Sequence, residues 1–126
     1  MAAMSSSAQD LQRAMLNKTL YVALRHPGDA SRVPELLEAH LSWMVAAERR
    51  GELFASGPFV ADGAPPGSLG GMSIVRASSV EDAREMLSHD PFVKEGVVTL
   101  EIRKWLLMEG GLTVTVRFSD QTSRLL

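Results

Sequence analysis

Two hydrophobic periods alternate along this chain in one order, and that order leaves few folds open. Residues 18–25, KTLYVALR, are bounded by the turn-forming run HPGD and read as a strand. Residues 32–50 then carry Val33, Leu36, Leu37, Leu41, Met44 and Val45 at three- and four-residue spacing, which predicts an amphipathic helix. Ser31 is its expected N-cap, Pro34 fits its first turn, and Arg49-Arg50-Gly51 closes it. ELFASGPFV (52–60) reads as a second strand. The Pro- and Gly-rich run ADGAPPGSLGG after it excludes regular structure and predicts a long, mobile loop. GMSIVRA (71–77) is a third strand. Ser78 with Glu81 has the form of a capping box. The helix it opens carries Val80, Ala83, Met86 and Leu87 on one side and stops at Pro91. VVTLEIRKW (97–105) is a fourth strand, with Val98, Leu100 and Ile102 on one face and Thr99, Glu101, Arg103 and Trp105 on the other.

The predicted order is β-α-β-β-α-β, the ferredoxin-like unit of the α+β class, with both helices on one face of a four-stranded antiparallel sheet. Trp105 on the uncovered face predicts that a second copy of the chain packs there, as a homodimer. Around this core, residues 1–17 are small and polar and read as a flexible leader. Residues 18–109 form the domain. Residues 110–126 form an extension of one strand, LTVTVRF, and a frayed tail, SDQTSRLL. The extra strand would pair with strand four through Gly110-Gly111 or reach a partner subunit.

Composition excludes several function classes. The net charge is -2, so nothing in the chain asks for a nucleic acid partner. The absence of cysteine removes disulfides, thiolate nucleophiles and cysteine metal sites, and fits a reducing compartment. No apolar run is long enough to span a membrane, and the N-terminal stretch lacks the apolar core of a signal peptide, so the expected location is cytoplasmic.

Few residues are placed for chemistry. His40 lies four residues after Leu36 and four before Met44, on the apolar stripe of the first helix. Its plain reading is a core histidine with polar partners, since burial without them costs free energy. Asp90 precedes Pro91 and has an equally plain reading as the cap of a short turn. The three histidines show no HxH or HExxH spacing, which argues against a metal site. GSLGG is not a dinucleotide loop, and Ser56 lacks the GxSxG context of a nucleophile elbow. Met44 and Met86 read as core filler.

The run GGMSIVRASSVEDAREMLSHDPFVKEGVVTLEIRKW resembles the YCII-related family, and LYVALRH, LLEAHLSWM and GELFASGPF match it in order over residues 20–105. The resemblance implies a dimeric α+β barrel of ferredoxin-like subunits. It implies that His40 and Asp90 form the active-site pair, with His40 as general acid or base and Asp90 orienting it. Ser56, Gly57, Pro58, Phe92 and Trp43 are the expected substrate contacts. An arginine carried by many members just before the helix histidine is replaced here by Leu36-Leu37-Glu38-Ala39. Members with an assigned reaction include dehydrochlorinases of chlorinated hydroxyquinols. The implied activity is therefore cofactor-independent lyase or isomerase chemistry on a small ring compound. The alternative is a non-catalytic dimeric module that binds a small ligand or supports another enzyme.

Overall fold

The computed structural model describes residues 6–125; the first five residues of the expected leader and the last residue of the expected tail lie outside the described residues. Two compact units divide the chain, one of residues 19–106 and one of the two ends together.

The larger unit is built from β1 (Lys18–Pro27), a 3₁₀ turn (Ala30–Arg32), α2 (Val33–Arg49), β2 (Leu53–Pro58), β3 (Gly71–Val75), α3 (Val80–Leu87), the single turn α4 (Pro91–Lys94) and β4 (Val98–Leu107). The four strands form one antiparallel sheet in the order β2-β3-β1-β4, the ferredoxin-like arrangement. Gly28 N–H donates to Val97 O and Asp29 N–H to Gly96 O, which ties the end of β1 to the start of β4.

Alternation decides which side chains of β1 and β3 turn toward the core. Tyr21 pairs with Val75 and Ala23 with Ser73, and all four are buried. Ala83 and Leu87 of α3 close over Tyr21, Ala23 and Val75, with Val80, Met86, Leu100 and Ile102 packed around them. Arg25 continues the Tyr21-Ala23 row, so a cation is carried into the apolar interior.

Three local details differ from the expectation. Ser31 does not cap α2: it lies inside the 3₁₀ turn, which Asp29 caps by accepting from Ser31 N–H, and Arg32 precedes α2 with no side-chain cap bond. The buried row of α2 runs through Met44 and Ala47, while Leu37, Leu41 and Val45 are exposed. Apolar residues occupy two adjacent i, i+4 rows of this helix, and only one can face the sheet. The cap of α3 is Ser79, whose hydroxyl accepts from Asp82 N–H, while Asp82 reaches back to Ser78 N–H and Oγ–H. The cap lies one residue further on than expected, and the returning carboxylate of Asp82 takes Ser78 rather than the cap residue's own N–H. The loop after β2 is closed by Phe59 N–H donating to Gly70 O.

The smaller unit holds α1 (Ser6–Ala14) and a hairpin of β5 (Val114–Arg117) and β6 (Thr122–Leu125). Leu16 N–H donates to Met108 O. The segment read as a leader thus carries a helix, though none of its residues is buried. The extension carries two strands rather than one: the expected strand pairs with a second strand inside the segment expected as a tail. The turn between them is set by Asp120, whose carboxylate accepts from Thr122 N–H and Oγ–H, and by Gln121 at φ 55°.

Candidate active site

The site begins with three elements that converge on one carboxylate. α3 ends before Pro91, because a proline pushes its predecessor out of the helical region. Asp90 is therefore extended, at φ −64° and ψ 128°, and caps α4 by accepting from Phe92 N–H at 3.1 Å. The same oxygen, Oδ1, lies 2.7 Å from His40 Nδ1 on α2. The other oxygen, Oδ2, accepts from Arg25 Nη1 of β1 at 2.6 Å. Asp90 is fully buried and Arg25 is 6% exposed.

Asp90 thus carries both of the roles open to it from sequence: it is a helix cap and the partner of His40. Burial pushes its carboxyl up, yet the hydrogen bond from His40 and the charge and hydrogen bond of Arg25 together hold it below its ordinary value of 3.8. A carboxylate can only accept, so His40 Nδ1 is the donor in that contact. The opposite nitrogen, Nε2, has no hydrogen bond among the described residues and is not sealed from solvent. In the neutral ring it carries the lone pair; in the protonated ring it is a donor.

Phe92 fixes the plane of the imidazole. The two rings stack with centroids 3.9 Å apart and 2° between planes. One face of His40 is thereby covered and its Nδ1 edge is occupied. The side chain is 14% exposed, and the Nε2 edge is what remains available.

Arg25 is in turn held on every side. Its Nε donates to Ser73 Oγ at 2.7 Å and its Nη2 to Met44 Sδ at 3.5 Å. Ser73 Oγ lies 2.8 Å from Ser56 Oγ on β2. The glycines at the start of β3 keep this corner tight: a Cβ on Gly70 would meet Arg25 O at 2.0 Å, and one on Gly71 would meet Gly57 O at 2.6 Å. Gly57 and Pro58 pair with Met72 and Gly71 at the edge of the sheet.

Of the residues expected from sequence, His40, Asp90 and Phe92 are in direct contact, and Ser56 joins them through Ser73 and Arg25. Trp43 is placed otherwise. It packs against the core, lies 5.8 Å under the Arg50 guanidinium, and lines an open depression of about 300 Å³ with Glu52, Asp82, Glu85, Met86 and His89. None of the Arg25–Asp90–His40 residues lines that depression. Arg25, Ser73 and Met44 are the members that the sequence reading missed. The signal for Arg25 was the Tyr21-Ala23-Arg25 alternation, which puts a charge where only a partnered one can stay. Among the described residues no group of three or more His, Cys, Asp or Glu side chains is placed to hold a metal ion, and no helix is long and apolar enough to cross a membrane.

Comparison with known proteins bears on the same region. The family model of the YCII-related domain matches residues 19–106. No curated protein matches the chain. Among solved structures, the chain is similar to 5-chloro-2-hydroxyhydroquinone dehydrochlorinase from Burkholderia phenoliruptrix AC1100 in complex with 2,5-dihydroxybenzoquinone. The TM-score is 0.56 at 21% identity, over 68% of this chain and 92% of that one, a likeness of fold.

Proposed function

The chain belongs to the YCII-related family, and from that premise we propose that it is a small-molecule enzyme whose His40–Asp90 pair moves protons on a small ring compound, as a lyase of the dehydrochlorinase type or an isomerase. The observation that carries this reading is the 2.7 Å contact between His40 Nδ1 and Asp90 Oδ1, with Nε2 left available. Asp90 fixes the ring orientation and supports the imidazolium that forms when Nε2 accepts a proton. Nε2 takes a proton from a ring hydroxyl or ring carbon and returns it elsewhere. In an isomerisation the proton is only relocated. In a dehydrochlorination the substrate loses one proton and one chloride, so HCl is the net product beside the quinone. Neither course asks for a cofactor.

The fold neighbour's complex with 2,5-dihydroxybenzoquinone supports the choice of an oxygenated six-membered ring as ligand. Subunits would pair as a homodimer through the open sheet face, where Trp105 is 38% exposed. The cysteine-free composition suits a reducing, cytoplasmic setting. The test is chloride release from 5-chloro-2-hydroxyhydroquinone, alongside proton relocation in unchlorinated hydroxyquinols. Release or relocation that depends on His40 supports the reading. Tight binding of these rings with neither reaction, at every pH, favours a non-catalytic ligand-binding module.

A further inference from the structure

The hydrogen-bond chain that ends at Ser56 has a direction, and the direction follows from counting donors. Arg25 can only donate, so Ser73 Oγ accepts from Arg25 Nε. Ser73 is completely buried, and its own proton must find an acceptor. Among the described residues the one side-chain acceptor bonded to it is Ser56 Oγ, at 2.8 Å. Ser73 therefore donates to Ser56. Ser56 is exposed, and its proton is left over for something outside the protein.

The backbone is shaped to put that hydroxyl there. The register of β2 on β3 shifts between Leu53 and Ala55, so that Ser56 rather than Ala55 stands opposite Ser73. Without the extra residue an alanine would occupy the position and the chain would stop at the buried Ser73. Bulges of this kind re-aim side chains beside functional sites.

We propose that Ser56 is the group that grips an oxygen of the bound ring compound, a phenolate or a ring carbonyl, with its proton directed outward by the chain from buried Arg25. The inference rests on the reading of the site as one for small oxygenated rings, and adds to it the atom that recognises the oxygen. A donor that already accepts a bond from Ser73, itself bonded to a guanidinium, is polarised toward giving its proton. Arg25 lies at the root of both arms of the network. It holds Asp90 on one side and orders Ser56 on the other, so one buried cation sets the base and the oxygen donor together.

The probe is 2,5-dihydroxybenzoquinone, titrated by its visible absorption against wild type, Ser56→Ala and Ser56→Thr. Loss of a hydrogen bond to a charged oxygen weakens binding by about ten- to hundredfold in Ser56→Ala, and Ser56→Thr restores most of it. A series of para-substituted phenolates gives a second readout: in wild type, affinity rises with the basicity of the oxygen, and in Ser56→Ala that slope flattens. Ser56 is exposed on an edge strand, but Ser56→Ala takes the acceptor from the buried Ser73 hydroxyl, at a cost in stability. Binding is therefore compared only after circular dichroism and urea unfolding show each variant folded under the assay conditions. Unchanged affinity in Ser56→Ala, equal losses in Ala and Thr, an unchanged slope, or no binding of the quinone to wild type at millimolar concentration overturns the assignment. Binding that depends on Ser56, with ring chemistry indifferent to His40→Asn, would leave this inference standing and remove the acid–base reading. His40-dependent chemistry that is indifferent to Ser56→Ala would do the reverse.

Discussion

Arg25 and Asp90 are 65 residues apart in the chain and meet at 2.6 Å as an ion pair with almost no exposure on either side. Burying two charges is costly, and the attraction between them offsets that cost only when the remaining donors and acceptors are also met. Here they are: Ser73 and Met44 take up Arg25, while His40 and Phe92 N–H take up Asp90. The pair is the joint between β1 and the α3–α4 corner, and it presents Asp90 to His40 in one orientation.

Removing one partner leaves the other charged and unpaired. Arg25→Met is expected to cost about 3–5 kcal/mol of stability, as for other broken buried pairs. The double variant Arg25→Met/Asp90→Asn is expected to cost less than the sum of the single changes, because the two groups share one interaction. Urea unfolding of the four proteins checks both statements.

Asp90→Asn separates capping from charge. Asparagine caps as well as aspartate does, so the α4 turn persists. The carboxylate that orients His40 is lost, and activity is expected to fall by about a hundredfold to ten-thousandfold. His40→Asn is expected to do similar damage, and the double variant to add little, since the two act as a unit. Steady-state rates on one hydroxyquinol across these variants are the measurement.

The acid limb of stability follows from the sign of the Asp90 shift. Its carboxyl is held below the ordinary 3.8 in the folded chain. A depressed folded value contributes stability that is fully present above the unfolded value, about 3.9, and is lost as pH falls through the folded one. Stability is therefore expected to hold from neutral pH to about 4 and decline below it. Urea midpoints at descending pH should show a shallower decline in Asp90→Asn; an identical decline would mean that Asp90 contributes nothing to it.

Much of this was legible in the sequence, for reasons that can be named. The alternation of β1 and β3, and the Val80-Ala83-Met86-Leu87 stripe of α3, correspond to one buried face each, so period and burial agree. The stripe of α2 was harder, because Leu37-Leu41-Val45 is as apolar as the row that is buried. The meeting of His40 and Asp90 was expected from the family resemblance, not from spacing, since 50 residues separate them. Arg25 escaped because a basic residue at the end of a strand looks like a solvated terminus. Its period-two phase with Tyr21 and Ala23 was the better guide. The hairpin of β5 and β6 escaped because Asp120-Gln121 turns the chain without glycine or proline.

The proposed homodimer gives a prediction through Trp105 of β4, which is 38% exposed. Trp105→Glu places a charge there and is expected to shift sedimentation at micromolar concentration from dimer toward monomer. A wild type that sediments as a monomer would remove the homodimer from the proposal.

The most direct test of the acid–base account is proton exchange on the ring itself. In D₂O, the ring hydrogens of 2,5-dihydroxybenzoquinone or a hydroxyquinol exchange slowly, and proton NMR follows their loss. Wild type is expected to accelerate this exchange, and His40→Asn and Asp90→Asn each to reduce the acceleration by about a hundredfold or more. Exchange that wild type does not accelerate, or that survives undiminished in His40→Asn, would contradict the assignment of His40 and Asp90 as the groups that move the proton.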